Sequence, residues 1–271
     1  YAAKTDISRF IGIIILTGGT MELGLKGKTA IVTGAGSQIG FGRAIVNNLA
    51  KEGCNIVACD IDLEGAKKTA AEAQAAGARA IALKTDITSY QAAQEMATAA
   101  IKEFGKIDIL VNNAGASTPP KPFLEMAEKD WHRDIDINLY GTIHCTRAVL
   151  PSMVEQKSGK VVSITSGVGI HGGMNVAVYA AAKGGIIAFC KGISKEMAPY
   201  KININLVAPG IANTGFAKQA PPDLLPNAVK SIPLGRLTEP QDIANAVTFL
   251  ASDAAADIVG QVLVVTGHVD P

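Results

Sequence analysis

One stretch constrains the fold of this chain more than any other. A short β-rich run, Thr29 to Val32, feeds Thr33-Gly-Ala-Gly-Ser-Gln-Ile-Gly-Phe-Gly42, and Arg43 to Lys51 then has helical composition. Strand, glycine turn and helix in that order let backbone N–H groups and a helix N-terminus approach a bound anion that Cβ atoms would obstruct. In that context the turn reads as a dinucleotide site, with Gly34, Ser37, Gly40, Phe41 and Gly42 as candidate contacts.

The remainder of the chain repeats the alternation. Apolar runs that read as strands cover Asn55 to Cys59, Ala80 to Lys84, Ile107 to Val111, Val161 to Thr165, Ile202 to Val207 and Ile258 to Val265. Between them, helical composition covers Leu63 to Ala76, Tyr90 to Phe104 with Gly105 as C-cap, Ala127 to Met153, Tyr179 to Met197, and Glu239 to Ala251 with Thr238 as cap. Such alternation predicts an α/β fold of Rossmann type: a doubly wound, mainly parallel sheet with helices on both faces. Residues 21–271 are expected to form one catalytic domain, and a hydrophobic content of 48% suffices for its core.

Residues 1–20 stand apart. Lys4, Arg9 and the run Phe10 to Leu16 imitate a signal peptide, but the run is too short to span a bilayer and no small-residue cleavage site follows. They read as a non-native or flexible extension left by cloning or upstream translation, with an added edge strand as the alternative. The formal charge of +1 gives no reason to expect nucleic acid or a membrane surface as partner. The four cysteines, Cys54, Cys59, Cys145 and Cys190, lack metal or redox spacing, which suits structural thiols in a reducing, cytoplasmic setting. His132, His144, His171 and His268 are equally dispersed, so no metal is expected.

Chemistry concentrates between Ser166 and Lys183. Tyr179 and Lys183 are four residues apart in a helical segment, which sets a phenol beside an ammonium on one face. A nearby cation favours the phenolate, so Lys183 is expected to lower the Tyr179 pKa and fit the pair for proton transfer. Ser166 follows a strand and so stands at its carboxyl end, where ligands bind in open α/β sheets. Asp60, at the end of the second strand, can accept hydrogen bonds from both adenine-ribose hydroxyls and would repel a 2′-phosphate. This favours NAD(H) over NADP(H).

Ser166 followed by Tyr179-x-x-x-Lys183, together with the glycine turn, resembles the catalytic pattern of the classical short-chain dehydrogenase/reductase family, over nearly all of Leu25 to Gly267. Asn112-Asn-Ala-Gly115 is a further motif of that family. The resemblance implies that Asn138 is a fourth catalytic residue, holding a water that links Lys183 to solvent. It also implies cofactor contacts from Asp86 and Ile87 (adenine), from Asn113, Ala114 and Gly115, from Lys183 (nicotinamide ribose) and Tyr179, and from Pro209, Gly210, Ile211 and Thr214. A homotetramer or dimer follows from the same resemblance. One departure is visible: Gln38 stands where the family's middle glycine falls, and the better register takes Gly40 and Gly42 as the second pair in a lengthened loop.

The expected activity is NAD(H)-dependent interconversion of a secondary or cyclic alcohol and its ketone, on a small-molecule substrate. His171, Met174 and Asn175 are candidates for the substrate wall, and the irregular stretch from Gly215 to Leu234 reads as a lid. Two other readings stand beside it: a 3-oxoacyl-thioester reductase acting on an acyl carrier protein or CoA, and a dinucleotide-binding sensor or scaffold without turnover.

Overall fold

The computed structural model describes residues 22–215 and 229–267. The extension over residues 1–20, the lid residues 216–228 and His268 lie outside the described residues. Among those described, seven strands form one sheet in the order β3-β2-β1-β4-β5-β6-β7. They are β1 (Thr29–Thr33), β2 (Asn55–Asp60), β3 (Ala80–Lys84), β4 (Ile109–Asn112), β5 (Gly159–Ile164), β6 (Ile202–Pro209) and β7 (Val262–Val265). Every neighbouring pair is parallel. The fold is the doubly wound α/β arrangement that the alternation predicts.

Parallel strands are connected by helices, here α1 (Phe41–Lys51), α2 (Leu63–Ala75), α3 (Tyr90–Phe104), α4 (Glu128–Ile135), α5 (Gly141–Gln156), the short α6 (Val168–His171), α7 (Ala177–Met197) and α8 (Pro240–Leu250). Because side chains alternate across a strand, β1 sends Ala30 and Val32 to one core and Ile31 to the other. Ile45, Leu49, Ala70 and Val247 from α1, α2 and α8 close the first core. Met96, Val149, Met153 and Ile186 from α3, α5 and α7 close the second. Sheets buried on both faces need continuous apolar strands, which is why these segments read so clearly. Truncating Ile31 to Ala would cost about 2–5 kcal/mol.

Element ends differ in places from the sequence reading. The last strand starts at Val262 rather than Ile258, because Gly260 adopts a left-handed φ of 70° just before it. The segment from Ala127 to Met153 is not one helix: a π-helical turn, Asp136–Tyr140, separates α4 from α5. Thr238 does not cap α8; its hydroxyl donates to the Val265 carbonyl, and the N-cap is Glu239, whose N–H donates to Asp242 Oδ2. Gly105 does end α3, with φ 82°.

The chain runs from β1 outward to β3 and then returns to β4 on the other side of β1. That reversal opens a crevice above the carboxyl ends of β1 and β4, the usual ligand position in such sheets.

Candidate active site

The glycine turn leaves β1 with Gly34 at φ 68°, and a Cβ there would lie 2.7 Å from the Ala114 Cα. A Cβ at Gly42 would run into the Gly34 carbonyl oxygen. Gly42 is therefore the glycine that lets α1 pack on the turn, and Gly40 is its N-cap, in agreement with the lengthened register. No side chain caps α1 and no acidic residue lies in its first turn, whereas Asp62 caps α2 and Ser89 caps α3.

Gln38, in the lengthened part of the loop, ties it to α2. Its Nε2 donates to Gly36 O (2.9 Å), Gly65 O (3.1 Å) and Thr69 Oγ1 (3.4 Å). Arg43 donates to Gln38 O and pairs with Glu72 at 2.8 Å, so this nearby guanidinium is engaged with α2. Asp60 is half-buried; its Oδ2 accepts from Gly36 N at 2.7 Å and its Oδ1 from Asp62 N at 2.9 Å, which fixes the carboxylate beside the turn. Ser37 lies in the loop, its carbonyl accepting from Gly40 N at 3.2 Å, and Phe41 is the first residue of α1.

The Asn112–Gly115 motif clamps β4 to this turn. Asn113 Nδ2 donates to Thr33 O (2.9 Å) and Gly34 O (3.0 Å), while Thr33 Oγ1 accepts from the Asn113 and Ala114 amides at 3.1 Å. The Asn113 side chain therefore shapes the turn. Asp86 is exposed and holds Thr88 through its amide and hydroxyl. The Ile87 side chain is buried against Gly141, and its carbonyl lies 3.0 Å from His144 Nδ1.

From β6, the Pro209 carbonyl accepts from Gly167 N, and Gly210 N donates to Val265 O. Ile211 is exposed, and its carbonyl accepts from Thr238 N. Thr214 is followed by Gly215, where a Cβ would come 3.4 Å from Ile39 of the glycine loop. This segment thus reaches back across the crevice.

Ser166, Tyr179, Lys183 and Asn138 come together over β4 and β5. Ser166 hydrogen-bonds the Tyr179 hydroxyl. Lys183, 3% exposed, donates from Nζ to Ile164 O at 3.0 Å and lies 5.7 Å from the Tyr179 ring centroid. A Cβ at Gly115 would sit 2.8 Å from Asn138 Oδ1 and 3.2 Å from Lys183 Nζ, so both atoms border the same small space. Asn138 lies in the π-helical turn and is fully buried. Its Nδ2 donates to Ala116 O (2.6 Å) and Asp134 O (2.8 Å), which turns Oδ1 away without a hydrogen-bond partner. Single π-helical turns often mark functional sites, and an orphaned buried acceptor asks for a donor.

The expected effect of Lys183 on Tyr179 is not what the protein shows on its own. Burial pushes the Tyr179 phenol up to about 12; the Ser166 hydrogen bond pulls it down and the charge of Asp134 pushes it further up. Burial also brings Lys183 down to about 8. Both groups are held toward their neutral forms, because desolvation opposes charge of either sign.

The candidate wall residues are at the surface. His171 ends α6, Met174 is 90% exposed, and Asn175 has a left-handed φ of 64° with its carbonyl accepting from Lys121 N at 3.0 Å. Among the described residues no cluster of His, Cys, Asp or Glu could hold a metal, and no helix is long and apolar enough to cross a membrane.

The family model described as enoyl-(acyl carrier protein) reductase matches residues 34–268. The chain belongs to the classical short-chain dehydrogenase/reductase family, a family of oxidoreductases. Among its relatives, the 3-oxoacyl-[acyl-carrier-protein] reductase of Thermotoga maritima is 35% identical over 90% of this chain and 98% of that protein. The cis-4-hydroxycyclohexanecarboxylate dehydrogenase of Sinomonas cyclohexanicum is 37% identical over 89% and 95%. A solved 7α-hydroxysteroid dehydrogenase, complexed with NADH and 7-oxo glycochenodeoxycholic acid, superposes with a TM-score of 0.86 at 36% identity, covering 91% of this chain and 95% of that one.

Proposed function

We propose that this short-chain dehydrogenase/reductase interconverts a secondary or cyclic alcohol and its ketone, using NAD(H). The observation that carries the reading is the convergence of Ser166, hydrogen-bonded to Tyr179, with buried Lys183 and the unpartnered Asn138 Oδ1 above the strand ends. The residues present fit a dinucleotide: the turn lacks Cβ atoms where its backbone packs closest, the first turn of α1 is uncapped, and a carboxylate stands at the end of β2. When bound, the dinucleotide supplies the hydride donor or acceptor at C4 of its nicotinamide.

The proton is handled by the chain. In reduction, neutral Tyr179 donates its hydroxyl proton to the substrate oxygen, and its raised pKa keeps that proton in place until the oxygen gains charge. Ser166 holds the reacting oxygen beside Tyr179 and fixes its orientation. Lys183 binds the nicotinamide-ribose hydroxyls, and with a pKa near 8 it can lose or regain a proton close to neutral pH. Asn138 Oδ1 holds a water that passes that proton to solvent. In oxidation the same groups run in reverse. Asp60 supports NAD(H), since a 2′-phosphate would meet its carboxylate in a half-buried site.

The Thermotoga maritima relative favours a second reading, reduction of a 3-oxoacyl thioester. Following nicotinamide absorbance with each dinucleotide against cyclic and secondary alcohols, ketones and a 3-oxoacyl-CoA distinguishes the two. Turnover confined to the thioester with NADPH would overturn the proposal, and dinucleotide binding without turnover of any compound would point to a sensor.

A further inference from the structure

Asp134, a buried carboxylate, has no part in the mechanism above. It lies in α4, is 1% exposed, and forms no ion pair with a cation among the described residues. Leaving a carboxylate in such a place is unfavourable unless its oxygens are well bonded. Its Oδ1 accepts from the Thr118 amide at 2.7 Å and from the Thr118 hydroxyl at 3.0 Å. Thr118 is itself buried, two residues beyond Ala116.

Those two bonds close a ring around Asn138. One proton of the Asn138 amide goes to the Ala116 carbonyl, and the other goes to the carbonyl of Asp134 itself. Ala116 belongs to the irregular segment after β4, which has no ladder to hold it, whereas Asp134 belongs to a helix. The carboxylate fastens the first to the second. If the segment moved away from α4, Asn138 would keep one acceptor and lose the other, and its Oδ1 would no longer be fixed beside Lys183.

We propose that Asp134 is a positioning residue: by bonding Thr118 it holds the Gly115–Thr118 segment on α4 and so sets the orientation of the Asn138 amide. The role assigned to Asn138 rests on the reading under Proposed function; the orientation itself does not. Charge from the same carboxylate reaches Tyr179.

The test reads Asn138 directly. In full-length protein labelled with 15N-asparagine, the Asn138 side-chain amide is assigned by its loss in Asn138→Ala, and its hydrogen exchange is followed. Asp134→Ala and Asp134→Leu, which remove the acceptor of both Thr118 bonds, are each expected to speed that exchange by about tenfold or more, and Thr118→Val, which loses only the hydroxyl bond, by less, since a buried hydrogen-bonded amide exchanges only on local opening. Asp134→Asn, which keeps an acceptor oxygen for Thr118, should stay within about threefold of wild type. In turnover, Asp134→Ala should lower kcat by about tenfold while the dinucleotide KM stays within about twofold, and Asp134→Asn should restore most of kcat. Wild-type exchange in folded Asp134→Ala, or equal damage in Asp134→Asn and Asp134→Ala, would overturn the proposal. Should Asp134→Ala not fold, unchanged exchange in Asp134→Leu, which fills the same space without an acceptor, overturns it equally. A wild type without turnover counts against the oxidoreductase reading and leaves the exchange comparison intact.

Discussion

On the β1–β3 side of the crevice, the groups at the mouth are backbone amides and the Asp60 carboxylate, held by Gly36 and Asp62. On the β5–α7 side they are Tyr179 and Lys183, whose pKa values burial moves in opposite directions, up to about 12 and down to about 8. The first side works by shape: it leaves out Cβ atoms so that backbone can come close, and it keeps its carboxylates near solvent. The second side works by desolvation, taking two ionisable groups out of water until each favours its neutral form. A dinucleotide lying across both would meet fixed dipoles at one end and adjustable protons at the other.

This division can be broken by experiment. The largest effect is expected from Tyr179→Phe, which should reduce kcat by about a thousandfold and leave dinucleotide affinity intact, as measured by steady-state rates and fluorescence titration. Near-normal turnover would remove the proton-handling role from that side. Asp60→Ala should narrow the NAD(H)-over-NADP(H) ratio of kcat/KM by at least about tenfold without changing the pH profile. An unchanged ratio would mean that the adenine ribose lies elsewhere. Gly42→Ala forces a Cβ against the Gly34 carbonyl, so either α1 or the turn must shift. A loss of about 1–3 kcal/mol in urea unfolding and weaker dinucleotide binding are expected, with kcat at saturation little changed.

The smallest effect concerns pH. Because the folded pKa of Lys183 lies below its ordinary 10.5, the unfolded chain binds more protons than the folded one between about 8 and 10.5. Stability from this residue should therefore rise with pH in that window, by about 1 kcal/mol per pH unit at most. The raised pKa of Tyr179 has the opposite sign, so its contribution falls as pH rises from 10 toward about 12. Denaturant unfolding of wild type against Lys183→Met between pH 8 and 10 isolates the first slope. Parallel curves would show that Lys183 is not desolvated as described.

Much of the shape-based side was legible in the sequence, since a strand, a glycine turn and a helix are contiguous and each glycine answers a local demand. The tether formed by Gln38 was not, because Gly65 and Thr69 lie far along the chain and nothing in the loop's composition names them. The π-helical turn at Asn138 escaped for another reason: Asp136 to Tyr140 has the same composition as the helices on either side, and one extra residue per turn leaves no compositional trace. Asp134 sits among Lys129, Asp130, His132, Arg133 and Asp136, a run that reads as a solvated face, yet packing against the Thr118 segment buries it.

From the sequence alone came the alternation of strand and helix, the position of the glycine turn, and the spacing that brings Ser166, Tyr179 and Lys183 together at the carboxyl ends of the strands. All of these depend on periodicity and neighbouring residues, which a linear chain records. Only the tertiary structure decided how the Asn138 amide is oriented, what Asp134 holds, and in which direction the Tyr179 and Lys183 protons are biased. Those depend on how much water packing removes and on partners distant in the chain, and burial outweighed the attraction that spacing alone suggested.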